Sequence, residues 1–237
     1  VKVFDELIQV KGQQPVSFTV RETVWGPITK SINSSFALAL QWSAQQPGAL
    51  NIGLTQLARS RDLDQALLTA HGIGMPGQNL VIGDKNGRIA WRLTAQMPNR
   101  VGGCDKTAPI DPQSGCHWQG WLNGSENPIL VDPTNNRLWT ANNRVVDGQW
   151  LELVGNGGYA LGARAKQIRD GLNSKKKQFP ERDLLSIQTD GRSLFLKRWW
   201  DLLNQQAKNA PPNSALKNLS LADTTWESSA SPDAVSY

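Results

Sequence analysis

Few residues of this sequence have the types and spacing that catalysis or metal binding requires. His71 follows a predicted helix and His117 lies beside Cys116, so either imidazole is a candidate general base, although a structural or surface role is the simpler interpretation of each. At a helix C-terminus the charged form of a histidine is favoured by the helix dipole. The sequence contains no glycine-rich phosphate loop, no HExxH motif and no GxSxG motif.

The two cysteines, Cys104 and Cys116, bracket a segment rich in Pro, Gly, Asp and Ser. A disulfide across a loop of this size would stabilise the fold by about 3 kcal/mol in the chain-entropy model. It would also place the protein in an oxidising compartment, so that we expect it to be periplasmic or secreted. The alternative is a pair of free thiols. His71 and His117 do not extend the pair into a set with zinc-ligand spacing, so no metal site is predicted.

Charge and hydropathy exclude two kinds of partner. The net charge is +5, but 25 basic residues are spread among 20 acidic ones, and the only dense basic run, residues 175–177, sits between a predicted helix and Pro180. A solvated connector explains that run better than a nucleic-acid surface does. No apolar stretch approaches the roughly 20 residues that span a bilayer. No signal peptide is visible at Val1, and the chain begins as mature protein would.

Alternating apolar and polar residues predict strands in the first part of the chain. The strongest local signal is a hairpin over residues 79–95, where Asn86-Gly87 separates two apolar runs. The segment 97–133 is predicted to be a long irregular loop that contains the disulfide, and loops of that length are usually functional. Further strands are predicted over residues 7–11, 16–22, 36–42 and 138–141, the last of which delivers Asn142 and Asn143 to its end.

Apolar residues at three- and four-residue spacing predict helices elsewhere. Residues 54–71 have this pattern, with a break near Ser60 and a second helix capped by Asp62 or Asp64. Helices are also predicted over residues 161–172, 181–188 and 193–207, with a last helical turn toward Trp226.

The predicted fold class is therefore α+β, with antiparallel strands followed by a helical C-terminal half. We divide the chain into a strand-rich part, residues 1–157, and a helical part, residues 158–237. The residues and patterns considered so far indicate only a soluble, exported domain of mixed α and β structure.

A family resemblance adds to this. The segment VRETVWGPI resembles the R-x-T-x-H-G-P strand of the penicillin acylase β subunit, and WTANNRVVDG resembles the T-A-N-N-R-V-V-D motif of the same family. Single motifs of this kind are weak, but several in the family's order are specific, and here they extend from near the first residue to near the last. The segments that carry the resemblance lie at residues 20–28, 81–98, 139–148, 158–172 and 184–203.

The resemblance implies an amide hydrolase of the N-terminal nucleophile superfamily, with part of its αββα architecture. In that superfamily a precursor cleaves itself to expose a Ser, Thr or Cys whose own α-amine acts as base, since an α-amine titrates near neutrality. The chain resembles an internal segment of the β subunit. The nucleophile is then expected outside this chain, the partners are the α subunit and the rest of the β subunit, and the chain alone is expected to be inactive.

The family motif assigns site residues to this chain. Asn142 falls on the oxyanion-hole asparagine, with Asn143 as the neighbour that could take its place, and a carboxamide NH₂ suits that role because it donates without titrating. Arg164 falls on the arginine that braces the active site. The alternatives are a simple Asn-Asn turn and an exposed charge on a helix. The acyl pocket is expected to receive Leu54 and Gln78.

At two positions this sequence departs from the family pattern, so the roles of those residues in the family cannot be assigned to this chain. Trp25 stands where the first motif has histidine, so that residue's role does not transfer. Calcium-binding members have an aspartate eleven residues past the oxyanion asparagine, where this chain has Leu153, and neighbouring Glu152 is expected to point away on an extended segment. We therefore predict no calcium and no cofactor.

The substrate class that the resemblance implies is an N-acyl amide or a β-lactam side-chain amide. The predicted pocket residues do not match the phenylacetyl-selective members, so aliphatic acyl groups, as in acyl-homoserine lactones, are an alternative. The rival class of function is a non-catalytic binding or structural module of the same ancestry.

Overall fold

The computed structural model describes residues 1–33, 35–105, 108–155, 157–174, 178–218 and 226–234. By internal contacts the chain divides into two units, Val1–Leu138 with Val146–Gly158, and Trp139–Val145 with Tyr159–Tyr237. The domain boundary expected between residues 157 and 158 stays a prediction. The basic run at residues 175–177 lies outside the described residues. Within the described ranges, no helix combines the length and the hydrophobicity that a bilayer crossing requires.

All ladder pairings between the described strands are antiparallel, and the described elements of the second unit are helices. This mixture confirms the predicted α+β class. The strands are β1 Lys2–Ile8, β2 Val16–Thr23, β3 Gly26–Ser31, β4 Ala37–Ala39, β5 Gln78–Gly83, β6 Ile89–Thr94, β7 Pro98–Val101, β8 His117–Trp121 and β9 Ile129–Val131. The α-helices are α1 Leu63–Ala70, α2 Gly148–Val154, α3 Ala163–Asn173, α4 Glu181–Gln188, α5 Leu194–Asn209 and α6 Ala215–Asn218.

Strands β1 to β4 form one sheet in chain order. The predicted strand over residues 7–11 is wrong in its bounds, because β1 ends at Ile8 and the Gln13 N–H then donates to the Val10 carbonyl to close a turn. The predicted strand over residues 36–42 is shorter in the structure, since only Ala37–Ala39 pairs with β3.

The β1–β2 ribbon exposes apolar side chains along its length, among them Val3, Phe4, Leu7 and Phe18. Neither strand contains a buried residue. Alternation of apolar and polar residues therefore does not mark a buried face here.

The core of the first unit lies between α1 and the sheet β5-β6-β9. Leu63 and Leu67 of α1 pack against Ala90 of β6, with Ile82 and Ile129 at the edge of the cluster. Burial of such side chains stabilises a fold by roughly 1.5–3 kcal/mol each.

The helical pattern over residues 54–71 corresponds to two elements. A 3₁₀ helix covers Gly53–Arg59, and α1 begins at Leu63 after a break at Ser60. Asp62 is the cap, because its Oδ1 accepts a hydrogen bond from the Gln65 N–H at 2.8 Å. The predicted break is confirmed, and the choice between Asp62 and Asp64 is settled by this bond.

The predicted hairpin forms from β5 and β6. Its turn is longer than a two-residue Asn-Gly turn, since the last strand pair is Gly83 with Ile89. Within the turn the Asp84 carboxylate accepts from the N–H groups of Asn86 at 2.8 Å and Arg88 at 3.2 Å. Gly87 adopts a left-handed φ of +82°, which glycine reaches without steric cost.

The segment 97–133 is not irregular, contrary to the sequence prediction. It contains β7 and β8, which pair with each other, and β9, which pairs with β6. Cys104 and Cys116 form a disulfide with their Cα atoms 5.0 Å apart. Gly102 makes this possible, since it has a φ of +89° and its Cα lies so close to the Gly115 carbonyl that a β-carbon would collide with it.

The region around the Asn-Asn pair also differs from the prediction. Residues 138–141 are not a strand, because no strand of the described ranges pairs with them. Gly148–Val154 is helix α2, which begins after Asp147, whose carboxylate accepts from the Gly148 N–H. Glu152 therefore lies on a helix, and the expectation that it points away on an extended segment is wrong.

The helices of the second unit agree closely with the sequence pattern. The bounds of α4 coincide with the predicted 181–188, and α3 and α5 differ by one or two residues. Trp200 of α5 stacks on Trp226 with ring centroids 5.5 Å apart. Helix α6 ends at Asn218, and residues 219–225, through which the predicted last turn runs toward Trp226, lie outside the described residues.

Candidate active site

Asn142 lies in the second unit, in a loop held by backbone contacts to the segment before α3. Its φ is +59°, a left-handed conformation that asparagine tolerates better than most residues. Its carbonyl accepts a hydrogen bond from the Ala160 N–H at 3.0 Å. The side chain is exposed. Asn142 is thus held by its backbone while its carboxamide faces outward.

The side-chain amide of the neighbouring Asn143 is hydrogen-bonded to the backbone of the loop. Its Oδ1 accepts from the Ala141 N–H at 3.1 Å, and its Nδ2 donates to the Arg144 carbonyl at 2.7 Å. Both ends of this carboxamide are therefore used to hold the loop. Of the two asparagines, only Asn142 has an NH₂ group without a hydrogen-bond partner among the described residues.

Arg164 determines which way the Asn142 carboxamide points. The Arg164 Nη2 donates to the Asn142 Oδ1 at 3.0 Å. Oxygen and nitrogen of an amide are assigned from their hydrogen bonds, and arginine can only donate, so the oxygen must face the guanidinium. The NH₂ group is then directed away from Arg164.

Arg164 is the second residue of α3, whose N-cap Gly162 supplies no side-chain hydrogen bond. A positive side chain at a helix N-terminus is disfavoured by the helix dipole, so helix stability does not explain an arginine at this position. The guanidinium and the N–H groups at the helix N-terminus therefore place positive charge beside the Asn142 carboxamide.

Sequence reasoning did not identify Ala160, whose N–H fixes the Asn142 backbone. A backbone donor has no side-chain signal, and the only available hint was its place in the G-Y-A-L-G segment just before α3.

The two predicted pocket residues belong to the first unit, whereas Asn142 and Arg164 belong to the second. Leu54 lies on the 3₁₀ helix and is 48% exposed. Gln78 is the first residue of β5, opposite Thr94, and is also exposed. Their assignment to an acyl pocket stays a prediction.

The candidate bases found by composition contribute little to a site. His71 is the C-cap of α1, but burial of its imidazole and the nearby Arg92 guanidinium lower its pKa, so the charged form expected from the helix dipole is disfavoured. The His117 Nδ1 lies 2.9 Å from the Gly115 carbonyl oxygen, within the disulfide loop. Among the described residues, no group of three His, Cys, Asp or Glu side chains is placed to hold a metal ion.

Residues 1–236 match the sequence model of the penicillin amidase family. The chain is 28% identical over 225 residues to the acyl-homoserine lactone acylase QuiP of Pseudomonas fluorescens, a match that covers 92% of this chain and 27% of that protein. It is 31% identical over 143 residues to the penicillin acylase 2 proenzyme of Pseudomonas sp., covering 59% of this chain and 18% of the proenzyme.

The fold is similar to that of the thermostable penicillin G acylase from Alcaligenes faecalis, with a TM-score of 0.66 at 20% sequence identity. That match covers 92% of this chain and 39% of the acylase. The chain spans about a quarter of the length of the acyl-homoserine lactone acylases that it matches.

Proposed function

Because the chain belongs to the penicillin amidase family, we propose that it is a segment of an amidohydrolase in which Asn142 holds the negative oxygen of the transition state. The observation that carries this proposal is the Arg164–Asn142 hydrogen bond, which leaves one amide NH₂ group exposed, oriented and unpartnered among the described residues. The nucleophile and its α-amine base are supplied by polypeptide outside this chain, so the segment alone has no amidase activity.

The reaction has two stages. The nucleophile attacks the scissile amide carbonyl, whose oxygen becomes negative in a tetrahedral intermediate, and collapse of that intermediate expels the amine and leaves an acyl-enzyme. Water then releases the acyl group through a second tetrahedral intermediate. The Asn142 NH₂ donates to the oxyanion in both stages, a contribution of about 3 kcal/mol to each barrier.

A neutral donor suits this role better than a charged one. The Asn142 amide neither titrates nor loses its proton to the nucleophile's base. Arg164 contributes indirectly, by holding the amide oxygen and so keeping the NH₂ group at one angle before the substrate arrives. Donors that are already in place cost no reorganisation at the moment of reaction.

Acyl-homoserine lactones are the substrates we propose first, with β-lactam side-chain amides as the second class. The relatives named as acyl-homoserine lactone acylases align with at least 90% of this chain, whereas those named as penicillin acylases align with 59%. The disulfide supports a periplasmic or secreted enzyme, because such bonds persist in oxidising compartments. A non-catalytic module of the same ancestry is the rival function.

The test is the variant Asn142→Gly in the complete enzyme, assayed against N-acyl homoserine lactones of several chain lengths and against penicillin G. Glycine removes the amide but accepts the φ of +59°, so the loop is retained. We expect kcat to fall by about 10²–10³-fold.

Asn136→Gly is the matched control, since Asn136 also has a positive φ, of +50°, and is exposed. It is expected to leave kcat unchanged. Near-normal turnover of Asn142→Gly removes this residue from the mechanism, and a complete enzyme inactive on every amide supports the non-catalytic module.

A further inference from the structure

The first unit contains a cleft of about 500 Å³. One side is formed by Ile28 of β3 and by residues 37–41, and another by Ile110 and Cys116 of the disulfide loop. Arg100 of β7 and Trp118 of β8, which are cross-strand neighbours, also line it. The cleft therefore combines apolar walls with one guanidinium group.

The Arg100 guanidinium, which lines this cleft, has few hydrogen-bond and ring contacts. Its Nη1 donates to the Leu153 carbonyl over 3.3 Å, and its guanidinium carbon lies 5.8 Å from the centroid of the Trp118 ring. Burial lowers its pKa, with no carboxylate acting in the opposite direction. Within the described ranges no ion pair involves Arg100, and Asp105 lines the same cleft.

The Arg100 side chain is only partly exposed, and a guanidinium that loses part of its water needs compensation from an acceptor. Arginine has five N–H donors, and the contacts above use one of them. Taking an ion even partly out of water is unfavourable unless a partner with good geometry replaces the solvent. The most suitable partner is a carboxylate, which can accept two parallel hydrogen bonds from the fork of the guanidinium.

The walls of the cleft indicate which groups would accompany a carboxylate bound to Arg100. Trp25, Leu40 and Ile110 are each more than 40% exposed in this chain, so apolar surface surrounds the charge. The chain corresponds to only 39% of the acylase whose fold it shares, so an enzyme of that length has further polypeptide, and exposed apolar surface of this kind is typical of an interaction site.

We propose that this cleft is the docking site of an acidic segment from the remaining polypeptide of the acylase. An Asp or Glu carboxylate of that segment pairs with Arg100, and an adjacent apolar side chain lies between Trp25 and Ile110. The inference rests on the proposed function in one respect, namely that the complete enzyme contains polypeptide beyond this chain. It does not depend on Asn142 or on the chemistry of the active site.

The deciding experiment is zero-length cross-linking of the complete enzyme that carries Arg100→Lys. The lysine keeps the charge and offers an amine, and a carbodiimide joins that amine to a carboxylate only where the two are in contact. Peptide mapping by mass spectrometry then identifies the partner. We expect a cross-link from position 100 to an Asp or Glu outside this chain.

Arg59→Lys is the matched control, because Arg59 is exposed at the end of the 3₁₀ helix and lines none of this cleft. A cross-link from position 100 only to Asp105, or no cross-link from that position at all, overturns the proposal.

Charge exchange provides a second measurement. Arg100→Glu is expected to lower the thermal midpoint of the complete enzyme, and Arg100→Glu combined with a change of the mapped acid to arginine is expected to recover at least half of that loss. No recovery in the double variant contradicts the pairing. If Arg100→Glu does not fold, the Arg100→Lys cross-link still decides.

The two proposals fail in different ways. Loss of the docking contact changes cross-linking and melting but leaves Asn142→Gly as damaging to kcat as before. Failure of the oxyanion assignment leaves the cross-link unchanged.

Discussion

The Arg164 guanidinium donates to the side-chain oxygen of Asn142 across 3.0 Å, and this single contact distinguishes the two ends of that amide. Since arginine has no acceptor, the contact is possible only with the oxygen toward the guanidinium. The adjacent Asn143 has both ends of its amide bonded to backbone within the loop. The assignment of a donor role to Asn142 therefore depends on geometry as well as on the motif.

The variant Asn142→Asp tests the oxygen and the NH₂ group of the Asn142 amide separately. The substituted carboxylate keeps an oxygen for Arg164 but has no NH₂ group, and its negative charge opposes the oxyanion. We expect kcat of the complete enzyme to fall by at least about 10³-fold, measured by steady-state hydrolysis of an N-acyl homoserine lactone. Circular dichroism and the thermal midpoint should remain close to the wild type, and wild-type kcat in the Asn142→Asp variant contradicts the donor role.

The variant Arg164→Met tests whether Arg164 positions the Asn142 amide. Methionine has similar length and no donor, so the Asn142 amide is free to rotate, and small misplacements of catalytic groups cost up to about 10²-fold in rate. We expect kcat to fall by roughly 10–100-fold with little change in KM. Arg164→Lys, which restores one donor, should recover part of the loss. Equal kcat values for the methionine variant and the wild type would show that Arg164 is only a surface charge.

The sequence predicts elements well where their signal is local. The bounds of α4 follow from Pro180 before it and from its amphipathic pattern, and the break before α1 follows from the capping residue Asp62. Pairing between distant segments is different. Residues 98–101 and 117–121 form β7 and β8 only because they meet each other, and residues 138–141 have a strand-like composition but no partner strand in the described part of the chain.

Helix α2 has a local signal in the sequence, although no helix was predicted there. Asp147 is a good N-cap residue, and Leu151 and Val154 follow at three-residue spacing. For the site, the motif selects the Asn-Asn pair, but the choice within the pair depends on backbone φ and on hydrogen-bond partners, neither of which can be read from residue types. Arg100 has no comparable signal, because burial of a charge is a tertiary property.

Removal of the disulfide should destabilise the complete enzyme. Cys104 and Cys116 are 12 residues apart, and for a loop of this size the chain-entropy model gives roughly 3 kcal/mol. The double variant Cys104→Ser/Cys116→Ser is expected to lose about that much free energy of unfolding in urea titrations. Reductant should lower the unfolding midpoint of the wild type and leave the double variant unchanged. A wild-type midpoint that is insensitive to reductant contradicts the prediction.

The Asp190–Arg192 pair predicts a specific dependence of stability on pH. Arg192 donates from Nε and Nη2 to the two carboxylate oxygens at 2.8 and 2.7 Å, and these bonds lower the pKa of Asp190 well below its usual range. The stabilisation is therefore complete above the unfolded-state value of about 3.9 and is lost as the pH falls toward the folded-state value.

Thermal melts of the wild type and Asp190→Asn at several pH values between about 6 and 2.5 measure this effect. We expect the wild type to be the more stable at about pH 6 and the difference to shrink below about pH 4. Asp201→Asn removes an exposed pair with Lys197 on α5 and should have the smaller effect. A constant difference across the pH range contradicts the role of the Asp190 carboxylate.

The apolar β1–β2 ribbon has a practical consequence for anyone who produces this chain by itself. β1 is an edge strand whose outer backbone groups have no partner in the described sheet, and its apolar side chains remain exposed to water. Edges of this kind recruit further strands, so the recombinant chain should self-associate as its concentration rises and favour inclusion bodies over soluble yield. Lysine substitutions at Val3 and Leu7 are expected to improve its solubility.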